Sequence, residues 1–211
     1  MSEERYPRAR LDLYEDTILL TRYEQGERQT SYPVSADDLA SAFAEVPVSS
    51  GFLPTNCLCW DRGNGEERLT VYVPGRRWPV QVVVADGAEA GLHIPLPPLL
   101  FQGAGRQYRV FALKERPRET PFDLYHFPGP NVHPNGAICQ GTAAFPACTA
   151  GTIEAALSLF LEGSLFNGDL AHDKCRSHPD DVRALWVELD GKKRFPRREL
   201  VPSRTTVDFL V

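Results

Sequence analysis

Apolar and polar positions change rhythm several times along the chain. In residues 11–21, LDLYEDTILLT, two short apolar runs flank Glu15-Asp16, which predicts a strand, a turn and a second strand. Ser35-Ala36-Asp37-Asp38 then opens a helix. Ser35 can cap it, Asp38 stands where the acid of a capping box belongs, Leu39, Ala42 and Phe43 give the apolar face, and Pro47 ends it. From Gly51 the texture turns to short β-rich runs: FLPTNCLCW, RLTVYVP, WPVQVVVA and RQYRVFALK. Apolar residues alternate at Leu69, Val71 and Val73 and again at Tyr108, Val110 and Ala112, as half-buried antiparallel strands require. A meander of about four strands is expected.

Two stretches, IPLPPLL and RPRETPFDLYHFPGP, carry too much proline for a central strand or a helix and are read as ordered loops or edge segments. The Phe and Leu residues of IPLPPLLF would suit either an interaction edge or a buried loop. From Thr152, the residues Ile153, Ala156, Leu157, Phe160, Leu161 and Leu165 recur at helical spacing, with Gly163 as an interior weakness. A last helix is expected near Ser177, boxed by Asp180, through Val182, Leu185, Trp186 and Leu189 to a stop at Gly191. Val207, Phe209, Leu210 and Val211 suggest a short terminal strand. The order, helix, strands, long loop and two helices, is that of an α+β protein with helices segregated from the sheet.

Composition sharpens this. At 211 residues and a near-average make-up, one domain over 1–211 is expected, with an N-terminal β extension (about 1–34) and a C-terminal tail (about 191–211). A net charge of -5 and a pI near 5.6 argue against duplex nucleic acid as partner. Arg76-Arg77, Lys192-Lys193-Arg194 and Arg197-Arg198 read as solvated basic faces. With no long apolar run and no secretory pattern, a cytoplasmic chain without a membrane partner is expected. The five cysteines, at 57, 59, 139, 148 and 175, are then reduced thiols.

The densest chemistry lies in GPNVHPNGAICQG, residues 129–141, open to three readings: a zinc knuckle, a prepared cysteine nucleophile, or a turn before a buried thiol. Zinc is disfavoured. Cys57-x-Cys59 lacks a second ligand pair, strand alternation would send both thiols to one core-facing side, and His126, His133, Cys139 and Cys148 lack paired spacing. Cys139, flanked by small residues, has the access a transfer cysteine needs. The strong helix begins too late for the cysteine-at-helix arrangement of papain-like proteases.

Pro130-Asn131-Val132 followed by Asn135-Gly136-Ala137-Ile138-Cys139 resembles the active-site loop of E2 ubiquitin-conjugating enzymes, where a His-Pro-Asn triplet precedes an Asn-Gly-x-Ile-Cys turn ending in the thioester cysteine. In that pattern the triplet Asn stands eight residues before the cysteine, which selects Asn131. Gly129 then occupies the family's His position, and the visible His133-Pro134-Asn135 is out of register. The resemblance extends over roughly residues 10–190, is sharp at 128–141, and is greatest to the bacterial E2-like proteins of family D from PRTRC cassettes.

That resemblance implies the E2/UBC-like fold: an N-terminal helix, a four-stranded meander, an active-site loop and C-terminal helices packed on the sheet. It implies a carrier, without cofactor or metal, that takes a ubiquitin-like protein from a ThiF or E1-like adenylating enzyme as a thioester on Cys139 and passes it to an amine. A JAB-type protease would be a further cassette partner. Asn131 would donate to the oxyanion, with Pro130, Asn135 and Gly136 supporting the loop. Asp169, His172 and Asp173 fall where the family activates its acceptor amine. The usual Trp-x-Pro after the cysteine is absent, and Phe145-Pro146 is its nearest substitute. A catalytically silent E2-like binding module, or a zinc-stabilised regulatory domain using Cys139 and Cys148, are the competing readings.

Overall fold

The alternation near the N-terminus produces three strands, β1 (Ala9–Leu13), β2 (Ile18–Glu24) and β3 (Glu27–Val34), paired antiparallel in the order β1-β2-β3. Across them Leu11 faces Leu20 and Leu20 faces Tyr32, so apolar residues share one side of the sheet. The first two strands and their turn were expected; β3 was not. Helix α1 (Ala36–Ala44) follows, and its capping box forms in part. The Asp38 N–H donates to Ser35 Oγ at 2.9 Å, and the Ser35 hydroxyl donates to Asp38 Oδ2 at 2.7 Å. The computed structural model describes residues 7–24, 26–44, 50–63, 66–84 and 86–205, so the expected Pro47 stop and the expected strand at 207–211 lie outside the described residues. Chain packing separates residues 1–49 from 50–211 as two units.

In the second unit, β4 (Cys57–Gly63), β5 (Glu66–Val73), β8 (Leu99–Ala104), β9 (Gln107–Ala112) and β10 (Tyr125–His126) form one antiparallel sheet in the order β10-β9-β8-β5-β4. A second sheet holds β6 (Arg77–Val83), β7 (Glu89–Pro95) and β11 (Leu165–Phe166), in the order β11-β6-β7. The four anticipated runs are all strands, but they do not make one meander. The β6–β7 hairpin leaves between β5 and β8 to build its own sheet.

The place of β8 corrects the loop reading of IPLPPLL. Its prolines, Pro95, Pro97 and Pro98, all precede the ladder, and Leu99 to Gly103 are buried without a break. Leu99 and Phe101 join the main core, whereas Leu100 packs with Phe111, Leu113 and Leu124 on the opposite face. A strand covered on both faces reads as a continuous apolar run, so the expected alternation vanishes. RPRETPFDLYHFPGP is a loop that contributes only the short edge strand β10.

Helix α2 (Ile153–Leu161) buries Ile153, Ala156, Leu157, Phe160 and Leu161. It stops before Gly163, so Leu165 lies on β11 and not on the helix as its spacing suggested. Helix α3 (Val182–Leu189) starts later than Ser177. The Ser177 N–H is taken by the Glu199 carboxylate at 2.8 Å, and Pro179 disfavours helix at His178 before it. Asp181 caps α3 instead, accepting from the Arg183 N–H at 3.0 Å, and Gly191 at φ 71° follows its end. Both helices bury their apolar faces in one core with the strands, centred on the rings of Phe127, Phe160, Phe166 and Trp186. No helix among the described residues is long and apolar enough to cross a membrane.

Asp181 also grips the Arg183 guanidinium, which donates to Val83 O at the end of β6 at 2.6 Å. The hydrogen bonds from Arg183 hold the Asp181 carboxyl below its usual value. Asp181→Ala is expected to cost about 1 kcal/mol in urea unfolding near neutral pH. A lowered folded pKa gives stability that is complete above the unfolded value of about 3.9 and is lost as pH falls through the folded one. The gap between variant and wild type therefore closes in acid, and a gap that persists there would assign the effect to packing.

Candidate active site

The turn that catches the eye in the sequence is a hairpin tip. The Gly136 N–H donates to His133 O at 2.9 Å, with Pro134 and Asn135 between them, and Asn135 Oδ1 accepts from the Ala137 N–H at 3.1 Å. Gly136 has φ 82°, and a Cβ there would lie 2.3 Å from the Phe111 ring. The position requires glycine for its backbone and for its packing alike. Proline after the first turn residue and a left-handed residue at its end suit a type I turn extended by a bulge. Backbone geometry thus accounts for His133-Pro134-Asn135, and the His133 side chain is exposed.

The arms continue as a short ladder. Val132 bridges Ile138, His133 N–H donates to Ala137 O at 2.8 Å, and Cys139 N–H donates to Asn131 O at 2.8 Å. In this register Asn131 and Cys139 are directly opposed. The second arm also pairs along β9, with Val110 N–H to Gly136 O at 2.9 Å and Ile138 N–H to Tyr108 O at 3.0 Å. Beyond the thiol, Gln140 Nε2 donates to Arg106 O at 2.7 Å, and the buried Phe145 packs against Tyr108 with ring centroids 5.4 Å apart.

Asn131 takes a left-handed conformation, φ 60°, which Asn tolerates better than most residues. Its N–H donates to Asp169 O at 2.8 Å, its Nδ2 donates to Leu165 O at 3.3 Å, and its Oδ1 accepts from the Asn167 N–H at 3.4 Å. The residue ties the hairpin to the segment after α2. Pro130, buried, leads into it. Below lies an anchor the sequence did not disclose: the Trp186 indole N–H donates to Pro128 O at 2.6 Å. A Cβ on Gly129 would sit 2.3 Å from the Trp186 ring and 2.5 Å from that of Phe127. The volume a side chain would need at 129 is already filled by Trp186.

Of the five thiols Cys139 is the exposed one. Burial raises the other four, Cys148 to about 11, where it is wedged against Gly103. Cys57 and Cys59 do not share a face as alternation suggested. A bulge between them sets Cys57 across from Val71, on the main-core side, and Cys59 across from Thr70, on the other. No group of three or more His, Cys, Asp or Glu side chains among the described residues is placed to hold a metal ion.

The three acceptor-side candidates separate. Asp169 lies beside Asn131 through its carbonyl, and its carboxylate accepts from Asn167 Nδ2 at 2.8 Å. His172 and Asp173 are exposed and line a cleft of about 620 Å³ together with His126, Asn135 and Lys174; Cys139 is not among its described lining residues. Lys174 is 3% exposed, and its ammonium donates to Val132 O at 2.8 Å. Sequence spacing gave no hint of it, since the contact joins residues 42 positions apart.

Among protein families, the model of prokaryotic E2 family D matches residues 35–203, leaving β1 to β3 outside the match. No curated protein and no solved structure matches the chain.

Two outcomes are expected of this site. Gly129→Ala should destabilise the fold by about 1–3 kcal/mol through overpacking against Trp186, read by urea unfolding. Iodoacetamide applied to the folded protein near neutral pH should alkylate Cys139 first, with Cys148 and Cys175 reacting only on unfolding, as mapped by peptide mass spectrometry.

Proposed function

Since the chain belongs to prokaryotic E2 family D, we propose that it is a carrier for a ubiquitin-like protein, with Cys139 as the thioester residue. The observation that carries this reading is an exposed thiol set opposite Asn131 on a hairpin that is stitched to the sheet edge. The incoming acyl group is already activated, so an accessible sulfur, a donor for the oxyanion and orientation suffice.

In the first step the Cys139 sulfur, its proton released to solvent, attacks the acyl carbon held on the cysteine of a ThiF or E1-like adenylating enzyme. A new C–S bond forms, the old one breaks, and the departing sulfur takes up a proton. In the second step an acceptor amine attacks the same carbon, loses a proton, and Cys139 leaves as thiolate. One hydrogen of Asn131 Nδ2 is engaged by Leu165 O, and the second remains for the oxyanion. Asp169, whose backbone carbonyl accepts from the Asn131 N–H, is the acid we assign to the amine side, ahead of His172 and Asp173, which open onto the cleft. A JAB-type protease would act on the conjugates.

The reading is tested with the E1-like enzyme, ATP and the ubiquitin-like protein on non-reducing gels. A thiol-sensitive adduct should form and be absent in Cys139→Ala. Asn131→Ala should still charge but discharge to an amine about 10²- to 10³-fold more slowly. An adduct that survives Cys139→Ala, or no adduct beside an E1 shown to adenylate, sinks the carrier and leaves a non-catalytic binding role.

A further inference from the structure

Among the described residues, the cleft behind the hairpin holds a charge without a counter-charge. Lys174 is almost wholly buried, and among those residues its ammonium has one hydrogen-bond partner, the neutral carbonyl of Val132. An ammonium has three donors, so two are left over. Among the described residues no carboxylate lies within ion-pair distance of it; Asp173 acts on it only from farther away. Buried charges in proteins are paired or bind a counter-ion, because removing an ion from water without a partner is costly. Here the burial lowers the lysine to about 8.

The rest of the cleft supplies what a counter-ion would use. Among the described lining residues Lys174 shares it with Arg204, His126 and His172, against one acid, Asp173. No carboxylate is bonded to Arg204 among the described residues. Leu170, Val201 and Pro202 add apolar wall, and about 620 Å³ far exceeds what a bare inorganic anion fills. We propose that this cleft binds an organic anion, its carboxylate or phosphate taken by Lys174 and Arg204 and its apolar body resting on Leu170, Val201 and Pro202. The site is separate from Cys139 but shares a part with its hairpin, since the ammonium that meets the anion also holds Val132 O. It stands independently of the carrier reading.

Titration calorimetry on the full chain tests it, with hexanoate and phenyl phosphate as the two head groups on an apolar body and inorganic phosphate as a head group alone. Saturable binding of hexanoate or phenyl phosphate is expected, whichever is tighter naming the head group, with inorganic phosphate weaker. Arg204→Ala should weaken it about tenfold or more, while Lys192→Ala leaves it unchanged. Hexanoate stays ionised from about pH 7 to 9.5, whereas Lys174 discharges across that range, so its binding should fall as pH rises. Of the other titratable or charged groups on the cleft, His126 is shifted to lower pH by burial, and His172, Asp173 and Arg204 line it as well. Lys174→Met should abolish binding, with its melting curve checking the fold; Arg204→Ala carries the test if that variant unfolds. No saturable binding of either organic anion, or binding unchanged in Arg204→Ala, overturns the proposal.

Discussion

Everything at the thiol's end of the molecule hangs on two backbone hydrogen bonds along the edge of β9, Val110 N–H to Gly136 O and Ile138 N–H to Tyr108 O. They turn a surface loop into an extra piece of sheet. A loop free to explore its dihedrals would have to be ordered again at each encounter, at about 1–2 kcal/mol per residue. Pairing to a strand whose residues Val110, Phe111 and Ala112 are fully buried removes that cost in advance. Glycine at 136 is the condition for this pairing, because the Phe111 ring fills the space a side chain would take.

A second anchor acts from below. Trp186, buried on α3, fills the volume against Gly129 and bonds Pro128 O, so an indole 58 residues away in sequence braces the approach to Asn131. The resemblance to E2 enzymes implies a bracing histidine at the position of Gly129. The two solutions are mutually exclusive in this core: a side chain at 129 would collide with the tryptophan. Here the bracing comes from a helix packed behind the loop and not from a side chain at 129.

How legible this was depends on the range of the interaction. The capping box at Ser35 and the apolar face of α2 are set by neighbours within a few residues and are legible from spacing, whereas the register that opposes Asn131 to Cys139 depends on the turn ending at Gly136 and is not. The central position of β8 is hidden in the sequence because both its faces are covered, which erases alternation, and because Pro95, Pro97 and Pro98 stand next to the strand but before it. Cys57 and Cys59 were misplaced by one bulged residue, the smallest irregularity that reverses a strand's faces. The stop of α2 and the start of α3 differ from the periodicity because Gly163 and Pro179 outweigh it. Trp186 on Pro128 and Lys174 on Val132 are long-range contacts, and nothing local announces them.

The two arms of the hairpin are consequently held by different physics. The Cys139 arm is fixed by neutral backbone pairing to β9, which is indifferent to pH and salt. The Asn131 arm is held by its own amide at Leu165 and Asn167 and, one residue on, by a buried ammonium. Charge-assisted hydrogen bonds are stronger than neutral ones but depend on the charge being present. The sulfur thus sits on the arm fixed by backbone pairing, and the amide opposite it sits on the arm whose support includes a charge. In the proposed carrier role the thiol would be presented to two successive partners, whereas the Asn131 donor would matter only in the second step. With the charge-dependent support under Asn131 and not under Cys139, those two requirements would not interfere.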